Sequence, residues 1–302
     1  MMPGVKIRIG FGLGTRTLTN DAATFGPFVD TLARLRFDSL WLSERLTGDA
    51  PDPLVALAFA AGRTEKLKLG TSVLVVPGRN PVVLAKELAS LDRLSNGRLL
   101  PAVGLGAPIP VEHRAFGVDR KERAALFDEA IGLMRRLWTE EHVTHDGARF
   151  HVEDVTLLPR PVQSPIDVWL GGNSPSELRR TGRLGDGWLP SFCTVDDVAE
   201  GWPVIKAEAA DAGREIEAEH VGALIAYSHT GVPDEVRALL AMRRPDLDPE
   251  LVVPIGLDAL RERIEDFCEV GASKFVVVPI DEPPDWDDEL AALADTLLPL
   301  QN

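Results

Sequence analysis

The chain has little cysteine, a deficit of positive charge and no long apolar run. Cys193 and Cys268 are its two cysteines, far apart and outside any CxxC spacing, which excludes a disulfide framework and a thiolate zinc site. Two buried thiols are the expected reading. The six histidines form no HxxxH or HExxH pair, although His142 and His145 lie three apart around a Thr-His-Asp-Gly turn, so no metal is expected. Lys plus Arg total 32 against 47 Asp plus Glu, a net charge of −15, and such a surface repels nucleic acid and anionic lipid. No apolar stretch nears the ~18 residues of a membrane span, and the opening Met-Met-Pro-Gly-Val-Lys-Ile lacks the flanks of a signal peptide. A cytoplasmic protein with a small-molecule substrate is expected.

Apolar residues make up 45% of the 302 and charged residues 26%, with 26 Gly and 23 Pro, an ordinary globular composition. Short β-branched and apolar runs alternate with segments of helical period. The runs predict strands at 5–11, 39–43, 67–75, 98–104, 166–170, 187–189, 221–227 and 274–280. Helices are predicted at 24–36, 53–62, 81–94, 121–139, 175–184, 195–212, 257–270 and 287–297, with Pro81 and Pro175 where a first turn tolerates proline. Eight strands each followed by a helix predict the α/β class and a closed (β/α)8 TIM barrel, because a doubly wound sheet more often stops at five to seven. One domain spanning 1–302 is expected, with insertions near 140–164 and 230–256. The first reads as a small hairpin turning at Asp146-Gly147. In the second, Pro245, Pro249 and Pro254 interrupt the chain after a helix at 233–243.

In such a barrel, chemistry belongs at the C-terminal ends of the strands. Strand one ends in Gly10-Phe11-Gly12-Leu13-Gly14, which allows a flat ligand near the backbone but is not a dinucleotide fingerprint, since Thr15 stands where the third glycine belongs. Strand two ends in Ser43-Glu44-Arg45, read either as a rim acid and base or as a surface ion pair. Strand four ends in Gly104-Leu105-Gly106-Ala107-Pro108, leaving the backbone of Leu105 and Gly106 accessible. After strand five comes Gly171-Gly172-Asn173-Ser174-Pro175-Ser176-Glu177. Its amides and the new helix dipole suit an anion, whereas a Ser174–Glu177 capping box would satisfy the same donors internally. Trp188, in Gly185-Asp186-Gly187-Trp188, either stacks on an aromatic cofactor or fills core.

These segments resemble the luciferase-like monooxygenase superfamily, and within it the coenzyme F420-dependent oxidoreductases. The resemblance rests on Phe37-Asp38-Ser39-Leu40-Trp41-Leu42-Ser43-Glu44, on Leu69-Gly70-Thr71-Ser72-Val73-Leu74-Val75-Val76-Pro77, on Asn80-Pro81 through Lys86, and on Leu91-Asp92-Arg93-Leu94-Ser95-Asn96-Gly97-Arg98. The Gly171-Gly172 loop and Arg183-Leu184-Gly185-Asp186-Gly187-Trp188 complete it, and it thins after about Thr230. It implies a cofactor tricycle across the barrel mouth with its phosphate at Gly171, Gly172, Asn173 and Ser174. It also implies a strand-three bulge with a non-prolyl cis peptide at Ser72–Val73 backing the ring, and Glu44 in contact with the cofactor. Relatives that act on a sugar phosphate often carry histidine beside that acid and a catalytic glutamate after strand four. Here those positions hold Arg45 and Ala107, which argues against that activity.

The reading that follows is an F420-dependent oxidoreductase transferring hydride to or from a small organic substrate, a homodimer as its relatives commonly are. The proton donor is unassigned among His113, Glu112 and solvent. Two alternatives stay open: an FMN-dependent two-component monooxygenase on the same fold, and a flavin or deazaflavin carrier without catalysis.

Overall fold

The computed structural model describes residues 6–302, so the first two positions of the strand predicted at 5–11 are divided between described and undescribed chain. Among the described residues the strands are β1 (Arg8–Gly14), β2 (Ser39–Leu42), β3 (Lys68–Val75), β4 (Leu99–Gly104), β5 (Val143–Asp146), β6 (His151–Val155), β7 (Trp169–Leu170), β8 (Gly187–Trp188), β9 (Gly222–Tyr227) and β10 (Lys274–Pro279). The α-helices are α1 (Ala22–Leu35), α2 (Pro53–Arg63), α3 (Pro81–Leu94), α4 (Pro110–Ala115), α5 (Arg123–Thr139), α6 (Pro175–Leu184), α7 (Val195–Asp211), α8 (Asp234–Arg243), α9 (Leu257–Glu269) and α10 (Trp286–Leu297). β5 and β6 form the antiparallel hairpin expected in the first insertion. The other eight strands share one sheet in the order β8-β7-β4-β3-β2-β1-β10-β9. That order closes on itself, because parallel bridges join Trp188 to Val221 and Ser191 to Leu224 of β9. Eight strands interleaved with helices and joined end to end are the (β/α)8 arrangement.

The chain divides into two compact units, residues 1–13, 31–40 and 170–302 in one and 14–30 and 41–169 in the other. In the first, β10 lies between β1 and β9 in parallel register, with Phe11 opposite Val277 and Lys274 opposite Gly222. Lys274 is buried, and its ammonium meets Asp38 at 3.0 Å, as a buried charge requires. The second insertion builds a small core of its own from Val232, Leu240, Val252 and Val253, with Phe192 and Ile280 against it.

In the second unit the helices start where their capping chemistry says. Asp52 accepts from the amides of Leu54 and Val55 ahead of Pro53, and Asn80 from those of Val82 and Val83 ahead of Pro81. α3 packs against α5, Leu84, Leu88, Ile131 and Met134 of the two helices are buried, and the Trp138 indole donates to Ala85 O at 3.0 Å. The motif from Leu91 to Arg98 is a joint. Asp92 is fully buried and accepts from the amides of Val162 and Gln163 at 2.7 and 3.0 Å. Arg98 donates to Ser95 O and Ala61 O, carbonyls at the ends of α3 and α2, and to Leu67 O just before β3.

One glycine in this unit is set by close approach. A Cβ on Gly70 would run into the buried ring of Trp41. Gly70→Ala is expected to destabilise the protein by about 3 kcal/mol, the upper end of overpacking costs, since an indole in a full core has nowhere to go. Gly132→Ala in α5, where a Cβ meets nothing within 4 Å, is expected to stabilise by about 0.5–1 kcal/mol. Urea denaturation of the pair measures both.

Candidate active site

The second unit holds a misfit between neighbouring strands. β3 and β4 run in register from Leu69 opposite Leu99 to Ser72 opposite Ala102, but Leu74 is opposite Val103, so Val73 is an extra residue. This is the expected bulge, and the Ser72–Val73 peptide is cis. A bulge takes backbone groups out of the ladder, and here groups of other segments take them up. Ser43 Oγ donates to Ser72 O at 2.6 Å, and Glu44 N to Val73 O at 3.2 Å. The Glu44 carboxylate accepts from Val75 N at 2.7 Å, while Arg79 Nε donates to Val75 O at 3.0 Å.

Arg79 also donates to the Glu44 carboxylate, and its far side reaches Asp52 at 3.4 Å. Only 3% of the Glu44 side chain is exposed. The surface pair suggested by Ser43-Glu44-Arg45 is therefore not formed: Glu44 is buried against Arg79, and Arg45 is exposed. Burial pushes the Glu44 carboxyl above its ordinary value, against the Val75 amide and Arg79, which pull it down.

Beside this frame lies a small cleft, lined among others by Glu44, Arg45, Val75, Leu105, Gly106 and His113. Leu105 and Gly106 thus stand where a ligand could meet them, but their carbonyls are not free. Arg123 Nη1 donates to them at 3.1 and 2.9 Å. The buried Nε of Arg123 has no hydrogen-bond partner. Burial, with Arg120 nearby, lowers its pKa. Among the described residues no carboxylate forms an ion pair with Arg123, so its charge is offset only by the carbonyls of Leu105 and Gly106.

Glu112, one of the three proton sources considered, is buried and engaged. It accepts from Leu46 N at 3.0 Å, from Thr47 N at 2.9 Å and from the Thr47 hydroxyl. Burial alone would raise its pKa, but those bonds and the charge of Arg45 outweigh it and hold the carboxyl below its ordinary range. His113 differs: one ring nitrogen, Nε2, lies 3.0 Å from Ala107 O, and the other has no partner among the described residues.

The loop after β7 is described within the first unit. Glu177 Oε2 accepts from the amides of Asn173 and Ser174 at 3.0 and 2.9 Å. Of the two readings open for this loop, the internal cap is the one formed, and a carboxylate occupies the donors an anion would use. Gly172 has φ +90°, and a Cβ on it would meet the Glu177 carboxyl carbon at 2.5 Å. Trp188 is fully buried, and its indole donates to Gly172 O at 2.8 Å. It fills core and ties the loop down. Cys193 is buried, with its thiol pushed up to about 12 by burial, and Cys268 is half-buried. No cluster of metal-ligating side chains occurs among the described residues.

A family model for luciferase-like monooxygenases matches residues 3–249. The chain belongs to the luciferase-like monooxygenase family. An F420-dependent glucose-6-phosphate dehydrogenase of Intrasporangium calvum is 39% identical over 184 residues, covering 56% of this chain and 55% of the relative. The chain thus spans about half the length of the first such relatives it matches. Among solved structures, a monooxygenase from Streptomyces bottropensis is 25% identical with a TM-score of 0.78, covering 97% of this chain and 99% of that one. An F420-dependent secondary alcohol dehydrogenase bound to an F420-acetone adduct has a TM-score of 0.80 at 18% identity, covering 98% of this chain and 100% of that one. The last shares the family's (β/α)8 fold.

Arg79 and Arg123 were not singled out from the sequence. Arg79 had a signal, since it sits between a Pro-Gly turn and the Asn80 cap; Arg123 reads as an ordinary first-turn residue of an amphipathic helix.

Arg79→Met leaves a buried carboxylate without its cation and is expected to cost about 3–5 kcal/mol. The double variant Glu44→Gln with Arg79→Met recovers part of the loss, as chemical denaturation would measure. A second expectation concerns acid. Because the native state favours ionised Glu112, its contribution is complete above its ordinary value of 4.5 and is lost as the pH falls through its lowered native value. Glu112→Gln should flatten that acid limb of stability.

Proposed function

We propose that this chain is an F420-dependent oxidoreductase that moves hydride between the cofactor and a small alcohol or carbonyl compound. The observation that carries the reading is the braced bulge of β3 beside a cleft with an unneutralised guanidinium. A stiff backbone shelf suits one face of a planar ring, and Arg123 suits the negative charge that such cofactors bring. The orphaned Nε of Arg123 is the test of fit, and the residues present meet it. Membership of the family and the F420-dependent relatives lend the reading support.

On this reading Ser72 and Val73 back the ring, with Leu105 and Gly106 at its edge. Glu44 acts mainly through the shelf, because Val75 N and Arg79 already occupy its oxygens. Taken by themselves, Gly171, Gly172, Asn173 and Ser174 are proposed as a phosphate-binding loop, in which a phosphate would displace the Glu177 carboxylate from the amides of Asn173 and Ser174. When bound, F420 supplies two-electron hydride chemistry. The chain's own residues fix orientation, exclude water and exchange a proton with the substrate. Arg45 and Ala107 replace the histidine and glutamate expected of the sugar-phosphate dehydrogenases, so an uncharged alcohol or ketone is favoured over a sugar phosphate. A homodimer in the cytoplasm completes the proposal.

Titration of the purified protein with F420 and with FMN tests it. Saturable binding of F420, at least tenfold tighter than FMN, is expected. Tight FMN binding without response to F420 would overturn the assignment and favour the monooxygenase.

A further inference from the structure

We infer that His113 is the catalytic residue that exchanges the substrate proton, working through Nδ1 while Nε2 is held by the carbonyl of Ala107. The inference rests on the F420-dependent reading above and adds to it the group that completes the reaction.

The charged groups lining the cleft with His113 are Glu44, Arg45, Glu112 and Arg123, and each is unsuited to carry a proton. Glu44 gives its oxygens to Val75 N and Arg79. Glu112 spends its own on Leu46 and Thr47 and stays ionised. Guanidinium does not release a proton under ordinary conditions, which removes Arg45 and Arg123. His113 remains, half-buried on α4.

Its geometry also fixes which nitrogen works. A carbonyl oxygen can only accept, so the 3.0 Å contact to Ala107 O places the hydrogen of the neutral ring on Nε2. Nδ1 then carries the lone pair. An imidazole oriented by a backbone carbonyl, with its second nitrogen uncommitted, is a common arrangement of a general base. In the oxidising direction the substrate C–H hydrogen leaves with its electron pair for the F420-class acceptor. The O–H proton passes to Nδ1 and the C=O bond forms. Two electrons leave the substrate and enter the acceptor, and the imidazolium returns its proton to water. Reduction reverses each transfer.

His113→Gln is the test, because glutamine keeps an N–H able to reach Ala107 O. Its fold is checked by circular dichroism, with His113→Asn as the substitute where it fails. With isopropanol as the hydride donor, kcat is expected to fall by 10²-fold or more while F420 affinity and KM stay within about threefold. The pH limb of the kcat profile that the parent shows should vanish in the variant. A second readout needs no turnover. Nitrogen-15 spectra of the ring should show hydrogen on Nε2, and the Nδ1 resonance, assigned by its loss in the variant, should shift on adding F420 with acetone. A kcat within fivefold of the parent, a persisting pH limb, hydrogen on Nδ1, or an Nδ1 resonance indifferent to the ligands would each overturn the role of His113. Absence of F420 binding by the parent protein would instead overturn the reading beneath it.

Discussion

One surplus residue governs this site. Val73 has no opposite number on β4, and a backbone that leaves its ladder must find donors and acceptors elsewhere or lose several kcal/mol for each group left dry. The chain answers with three residues from two segments. Ser43, Glu44 and Arg79 between them hold Ser72 O, Val73 O, Val75 N and Val75 O. The rest follows from that need: why an acid is buried at the end of β2, why a cation from the turn before α3 is pulled against it, and why the shelf stays stiff beside an open cleft.

The same economy separates charges that serve the scaffold from charges that serve a ligand. Glu44, Glu112 and Arg79 are all engaged by partners of the same unit. Arg45 and Arg123 form no ion pair with a carboxylate among the described residues, although Arg45 helps to hold Glu112 ionised, so the cleft presents cationic groups to a ligand while the chain as a whole carries −15. Attraction for an anion here is a short-range property, felt inside the cleft and opposed outside it.

The architecture was readable because its signals are periodic. α3 and α6 begin and end where proline, capping residues and apolar spacing say, and the strand ends differ by at most three residues. The segment 110–115 was missed as a helix: it is too short to show a period. The site was readable in part. The bulge and the cis peptide at Ser72–Val73 came from a resemblance, since no spacing rule announces an extra residue in a strand. The partner of Glu44 was mistaken because adjacency in sequence favoured Arg45, whereas the bonding that matters spans thirty-five positions to Arg79. The motif from Leu91 to Arg98, among the most recognisable stretches in the chain, turned out to join helices rather than to touch the cleft. A strong family signature can mark a hinge of the scaffold as readily as its chemistry.

The loop that ends β7 is closed by its own chain. Its amides are stoppered by the carboxylate of Glu177, which is tethered in place and therefore present at a high effective concentration. Free orthophosphate, abundant but held by nothing else, competes poorly with a tethered rival. The loop is thus kept closed to dissolved anions by a group of its own chain.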